Sequence, residues 1–178
     1  PYKRADLMFT DVERLATIAD KVGPMQIVFG GKARPHDGGG KDLIRRIHDA
    51  AFQPPRRVTV VYLENYEMAL AARMVAGVDL WINNPMKPLE ASGTSGMKAA
   101  LNGVPQLGTI DGWWEEGYDG TNGWAVPLAP DSDELEEQDA HEAEALYTVL
   151  EEEIVPLYYE RDAADVPQGW ADKMRNAI

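Results

Sequence analysis

The 178-residue sequence contains no cysteine, which excludes disulfides and thiolate metal ligation. No apolar run approaches the roughly 18–20 residues that span a bilayer as a helix. No basic-then-apolar leader opens the chain, so a cytoplasmic protein away from membranes is expected. Pro1 is not an initiator methionine, and the sequence reads as a fragment or a processed chain. Basic residues are scarce at one end: residues 131–178 hold 15 acidic and 3 basic side chains, against 15 and 14 in residues 1–130. That segment should repel nucleic acid and anionic membranes, which are not expected as partners. Only three histidines occur, His36, His48 and His141. Their scatter matches no metal-ligand spacing, so no metal is expected and all three are read as structural or exposed.

What is present alternates between two periodicities. Apolar positions at helical spacing from Ala5 to Val22 predict a helix that Gly23-Pro24 stops. Met25 to Phe29 and the β-branched run Val58 to Leu63 predict strands, with a helix after Gly38-Gly39-Gly40 between them. Glu67 to Ala76 has helical composition. Leu80-Trp81-Ile82, Pro105 to Ile110 and Trp124 to Val126 predict three further strands. A glycine-rich loop from Gly93 to Gly96 opens a short helix through Leu101. Strands alternating with helices at this spacing imply βαβ units and an α/β, Rossmann-like parallel sheet with helices on both faces. Ligands then belong at the carboxyl ends of the strands.

Pro127, Pro130 and Asp131-Ser132-Asp133 read as a linker. Two regions follow: residues 1–128, a Rossmann-like cofactor-binding domain, and residues 129–178, an acidic helical segment. Helices are expected from Glu134 to Glu153 and from Gln168 to Asn176. Leu146, Leu150, Ile154 and Leu157 sit three or four apart on one face, so the segment should dock rather than hang free. Any part of that stripe left bare would favour self-association into a homo-oligomer.

The chemistry concentrates between Glu90 and Lys98. Two glycines let the backbone approach a ligand, Thr94 and Ser95 offer hydroxyls, and successive amides point outward where a helix begins. Such a site suits a phosphate. Lys98 follows in the first turns, able to pair with a phosphate or form an imine with a carbonyl cofactor. The spacing is not that of a Walker loop, and on chemistry alone a capping loop beside a surface lysine explains the segment equally well.

The segment Glu90-Ala91-Ser92-Gly93-Thr94-Ser95-Gly96-Met97-Lys98 is similar to the pyridoxal-phosphate attachment signature of α-glucan phosphorylases. Tyr2-Lys3-Arg4, Gly31-Lys32-Ala33, Leu63-Glu64-Asn65-Tyr66, Leu101-Asn102-Gly103 and Asp111-Gly112 resemble other segments of that family, in its order. Ser95-Gly96 and the stretch from Trp113 to Gly117 look most like its shorter bacterial and archaeal branch. The resemblance covers residues 1–128 and fades in the acidic segment. It implies the C-terminal half of a two-domain GT-B fold, with the N-terminal domain absent. By it, Lys98 would carry pyridoxal 5′-phosphate, Thr94 and Ser95 would bind the cofactor phosphate, and Tyr66 would lie beside the cofactor. Glu90, Ser92 and Gly93 would contact the glucosyl unit, and Lys3 would hold the substrate phosphate. Glu67 stands where the long enzymes usually have arginine, so any cationic role there is lost. The implied reaction is phosphorolysis of an α-1,4-glucan by inorganic phosphate to glucose 1-phosphate, with retention. The 178 residues alone should be inactive.

Two other readings fit parts of the same pattern: a nucleotide-sugar-dependent GT-B glycosyltransferase such as a glycogen synthase, and a glucan- or partner-binding module without catalysis. The first lacks a Met-Lys attachment site. Trp113 and Trp114 are read as core and loop anchors ahead of sugar-stacking platforms.

Overall fold

The computed structural model describes residues 2–55, 57–128 and 134–178. Pro1 and the linker residues Pro130 to Asp133 lie outside them. The chain divides into two compact units, residues 5–71 and residues 2–4 with 72–178.

The first unit opens with a 3-10 turn, Ala5–Phe9, followed by α1 (Val12–Lys21). The single helix expected from Ala5 to Val22 is therefore broken. The cause is Asp11, whose carboxylate accepts the Arg14 N–H at 2.8 Å and caps α1 as a new helix start. α1 turns Leu15, Ile18 and Ala19 fully inward. β1 (Met25–Gly30) pairs in parallel with β2 (Val58–Leu63), Met25 opposite Val58 and Gly30 opposite Leu63. Between them runs α2 (Gly38–Phe52), capped by Asp37, which accepts the Gly40 N–H at 2.8 Å. A glycine-rich start is poor helix material, and that cap compensates for it. α2 packs on β2 and on the 3-10 turn, burying Ile47. Tyr62 donates its hydroxyl to Gly31 O at 2.8 Å, which ties the Gly30-Gly31 turn to the end of β2. Burial, reinforced by the Glu64 charge, raises the Tyr62 phenol above its ordinary range.

The unit boundary falls within α3 (Met68–Gly77). The second unit holds a three-stranded parallel sheet in the order β3 (Trp81–Asn83), β4 (Gln106–Thr109), β5 (Gly123–Val126). All pairings among the described strands are parallel, the mixed α/β architecture expected, here as two sheets. β4, the central strand, is buried along its whole length. α4 (Thr94–Ala100) packs on β3 and β4. Its Ala99 joins Val75 and Val104 in a buried cluster with Val78 and Trp81 against it. α5 (Trp114–Gly117) is a single turn that the sequence pattern did not suggest. It sinks Trp114, whose indole N–H donates to Trp124 O at 3.3 Å.

The acidic segment is helical throughout its described length apart from short connections. α6 (Leu135–Val149) runs into a π-helical turn, Leu150–Ile154, then α7 (Val155–Tyr159) and α8 (Gln168–Ala177). The chain thus stays helical past Glu153. Pro156 lacks an N–H and its ring crowds the carbonyl four residues back. The wider turn just before it gives that carbonyl room. Leu146, Leu150 and Ile154 are buried and α6 packs against β5. α8 adds Trp170, stacked on Trp124 with ring centroids 5.8 Å apart. Lys173 lies over the Trp124 ring and donates to Gly120 O at 3.1 Å and Gly123 O at 3.2 Å.

Candidate functional site

The chain leaves β3 at Asn83 and reaches α4 through residues 84–93, at the carboxyl end of a parallel strand. Glu90 is buried, and its backbone N–H donates to Asp111 Oδ2 at 2.9 Å. The Trp113 N–H donates to Ser92 O at 2.8 Å. Gly112, at φ 58°, lies so close behind this loop that a Cβ on it would come within 2.8 Å of Ser92 O. The turn after β4 therefore pins residues 90–92 from below. Gly93 then takes φ +78° as the residue before α4, a left-handed conformation that suits glycine. A side chain there would also press on Trp113 Cδ1 at 3.0 Å.

α4 begins at Thr94, so Thr94, Ser95 and Gly96 form a helical turn rather than the loop expected from composition. The Gly96 and Met97 N–H groups are already engaged in the helix, both donating to Gly93 O, at 3.0 and 3.4 Å. The Thr94 and Ser95 amides precede them, where a helix has no partner for its donors. Lys98 is exposed one turn on, and its backbone carbonyl accepts from Asn102 Nδ2 at 2.7 Å.

Lys3 joins this set from far away in sequence. Its ammonium donates to Asn83 Oδ1 at 2.9 Å and forms an ion pair with Glu90 Oε2. Two residues assigned separate roles thus meet directly. Arg4 beside it is buried, at φ 45°. Its guanidinium donates to Asn84 O at 3.1 Å, Pro85 O at 2.9 Å and Asp139 Oδ1 at 2.8 Å, and pairs with buried Glu142. Asn84 returns a bond to Arg4 O at 3.0 Å. Tyr66 is half-buried after β2 and belongs to the first unit, whereas Lys3, Glu90, Ser92, Gly93, Thr94, Ser95 and Lys98 belong to the second.

Sequence reasoning missed Asn83, Asp111 and the Arg4–Glu142 pair. Asn83-Asn84 at the end of a strand was the available signal, since that position faces ligands in open α/β sheets. The tryptophans are anchors: Trp114 is 1% exposed, and the Trp113 ring lies against Gly93, Gly96 and Gly117. No group of three His, Asp or Glu side chains among the described residues could hold a metal ion. No described helix is long and apolar enough to cross a membrane. The donor set does fit a phosphate ester bearing an aldehyde. Lys98 offers an exposed primary amine, the α4 turn offers two amides, and Gly93 keeps side-chain bulk out of the approach.

Residues 2–116 match the carbohydrate phosphorylase family profile. The chain belongs to the carbohydrate phosphorylase family. Glycogen phosphorylase of Aquifex aeolicus is 51% identical over 178 residues, 99% of this chain and 25% of its own length. Maltodextrin phosphorylase of Thermococcus litoralis is 47% identical over the same length, covering 21% of its own. Glycogen phosphorylase of Mycobacterium tuberculosis is 44% identical, again over 99% of this chain and 21% of its own length. This phosphorylase chain therefore spans a quarter or less of the length of these relatives. The alignments run through the acidic helices, whereas the family profile stops at residue 116. A docking role for that segment follows from its packing: Glu142, which pairs with Arg4, is part of it.

Proposed function

We propose that this chain is the cofactor-bearing part of an α-glucan phosphorylase that cleaves α-1,4-glucan with inorganic phosphate to give glucose 1-phosphate. The observation that carries this reading is the arrangement of the Glu90–Lys98 segment, held from below by Asp111 and Trp113, with Lys3 at Glu90. Lys98 would hold pyridoxal 5′-phosphate, and the Thr94 and Ser95 amides would receive its phosphate. When bound, the cofactor supplies a phosphate group that exchanges a proton with inorganic phosphate. Lys3 neutralises the substrate phosphate, and two phosphates held close need such a cation. Glu90, Ser92 and Gly93 orient the glucosyl unit, with the Glu90 backbone fixed from behind by its N–H bond to Asp111 and its carboxylate paired with Lys3. Residues 1–128 serve as the cofactor-binding domain, and residues 129–178 brace it.

The remainder of the enzyme, including its N-terminal domain, completes the substrate cleft, so residues 1–178 alone should show no phosphorolysis. The setting is cytoplasmic on this reading. The test uses the full-length parent: load it with pyridoxal 5′-phosphate, reduce with borohydride and map the labelled peptide. The label is expected on Lys98. A label on Lys32 or Lys41, with none on Lys98, would defeat the assignment. A nucleotide-sugar glycosyltransferase would take up no label at all.

A further inference from the structure

Four buried side-chain polar atoms of the second unit lack a hydrogen-bond partner among the described residues: both amide atoms of Gln106, the indole Nε1 of Trp113 and the hydroxyl of Thr109. Gln106 is 1% exposed, in the central strand. Burying such groups unpaired is costly, so their placement calls for a reason. Two of them, Gln106 Oε1 and Trp113 Nε1, converge on one residue. A Cβ built on Gly96 would overlap Gln106 Oε1 and lie 2.8 Å from Trp113 Nε1. An N–H donor and a carbonyl acceptor thus meet at the backbone of the first α4 turn. No direct hydrogen bond joins them; one buried water between them would satisfy both. The other end of the same amide reaches the opposite side of the site. A Cβ on Gly108 would lie 2.8 Å from Gln106 Nε2 and 2.9 Å from Asn83 O. Asn83 is the residue whose side chain accepts from Lys3.

We propose that Gln106, with Trp113, is a positioning residue that sets the spacing between the α4 turn carrying Thr94 and Ser95 and the β3 end, where Asn83 holds the Lys3 ammonium. This inference rests on the functional reading above. Gly96 and Gly108 are glycines because the Gln106 amide fills the space of their side chains. Gly93 and Gly117 do the same for the indole, since a Cβ on Gly117 would come within 2.6 Å of Trp113 Cζ3. Neither Gln106 nor Trp113 needs to touch a ligand. Their effect is on the direction of two backbone amides, and so on whatever phosphate those amides hold.

The test compares two aldehydes, pyridoxal 5′-phosphate and phosphate-free pyridoxal, bound by the cofactor-free full-length parent and followed by absorbance titration. Trp113→Phe keeps the ring and removes the N–H. Gln106→Met keeps the length and removes both polar atoms. Each should weaken pyridoxal 5′-phosphate about tenfold, the factor set by roughly one lost hydrogen bond, and leave pyridoxal almost unchanged. The melting temperature of the cofactor-free protein should fall by no more than a few degrees. If Trp113→Phe does not fold, Gln106→Met alone carries the comparison. Gly96→Ala should lose the phosphate-bearing aldehyde most severely, and Gly96→Ala with Gln106→Ala should recover part of that loss. Wild-type affinity for both aldehydes in Gln106→Met, or an equal loss for both, would overturn the inference. Failure of the wild-type parent to take either aldehyde on Lys98 would instead defeat the functional reading beneath it.

Discussion

β1 and β4 are both parallel strands, and β1 is the more apolar of the two, yet they end in different surroundings. No residue of β1 is fully buried, whereas every residue of β4 is. β4 has a strand on each side and α4 packed on it, while β1 has only β2 beside it among the described strands. Apolar content alone therefore does not tell which strand is central. The second unit also holds most of the polar groups that matter: Arg4, Asn83, Glu90, Gln106, Asp111 and Glu142 are all buried there. Buried polar groups require fixed partners, so the better-covered sheet is also where directional bonds can hold a site in place. The first unit contributes one candidate, Tyr66.

Core truncation gives the largest contrast. Trp114→Ala in the second unit should cost about 3–5 kcal/mol in urea unfolding. Phe29→Ala in β1, a half-buried ring tilted against Phe9 at 5.6 Å, should cost about 1–2 kcal/mol. Equal losses would mean that the two sheets are covered alike.

Ion pairs sharpen the comparison on a smaller scale. Glu142→Ala strips the buried Arg4 of one carboxylate and should destabilise by about 3 kcal/mol, as expected when one partner of a buried pair is removed. Asp6→Ala removes the partner of Arg46 at 2.9 Å in the first unit, where both side chains meet solvent. Its cost should stay below about 1 kcal/mol and shrink further with salt. A double-mutant cycle with Arg4→Met measures the first pair directly.

The smallest effect is a pH dependence. Burial, then the charge and hydrogen bond of Asp79, raise the Tyr158 phenol above its ordinary value of 10.0. A group whose folded pKa is raised contributes stability that is complete below the unfolded value and is lost as pH climbs through the folded one. Stability should therefore decline above pH 10.0, and Tyr158→Phe should flatten that decline. Tyr62 acts with the same sign. Lys173, held below its ordinary value chiefly by burial, acts with the opposite sign. The difference between wild type and Tyr158→Phe isolates the one phenol. A steeper decline in the variant would reverse the assignment.

The order of strands and helices was legible in the sequence because apolar periodicity reports burial one element at a time. β2 runs from Val58 to Leu63 as read, and the strands at Met25, Trp81, Gln106 and Gly123 lie within a residue or two of their expected places. The break at Asp11 was missed because a capping carboxylate overrides an unbroken apolar pattern. The α5 turn was missed because four residues carry too little periodicity. The Glu90–Lys98 segment was readable as a phosphate-suited loop, since glycine and hydroxyl residues mark it locally. Lys3 at Glu90 was not readable from spacing, because the two are 87 positions apart and only the folded chain joins them. Gln106 was hidden for the opposite reason. A lone glutamine in a strand looks like any edge residue until the glycines facing it show that space was left for it.

The stacked indoles of Trp124 and Trp170 give the acidic segment an optical signature. Their planes lie 27° apart and their centroids 5.8 Å apart, and Tyr158 meets Trp170 edge-on at 5.0 Å. At that separation the electronic transitions of two indoles couple, and a coupled, rigid pair produces a paired positive and negative band in ultraviolet circular dichroism. Trp124 belongs to β5 and Trp170 to α8, so this pair's contribution lasts only while α8 is seated, whereas that of Trp113 and Trp114, 5.0 Å apart, does not depend on it. Undocking of the C-terminal helix can thus be followed by light alone, without a label, in a chain whose five tryptophans would otherwise blur together in fluorescence.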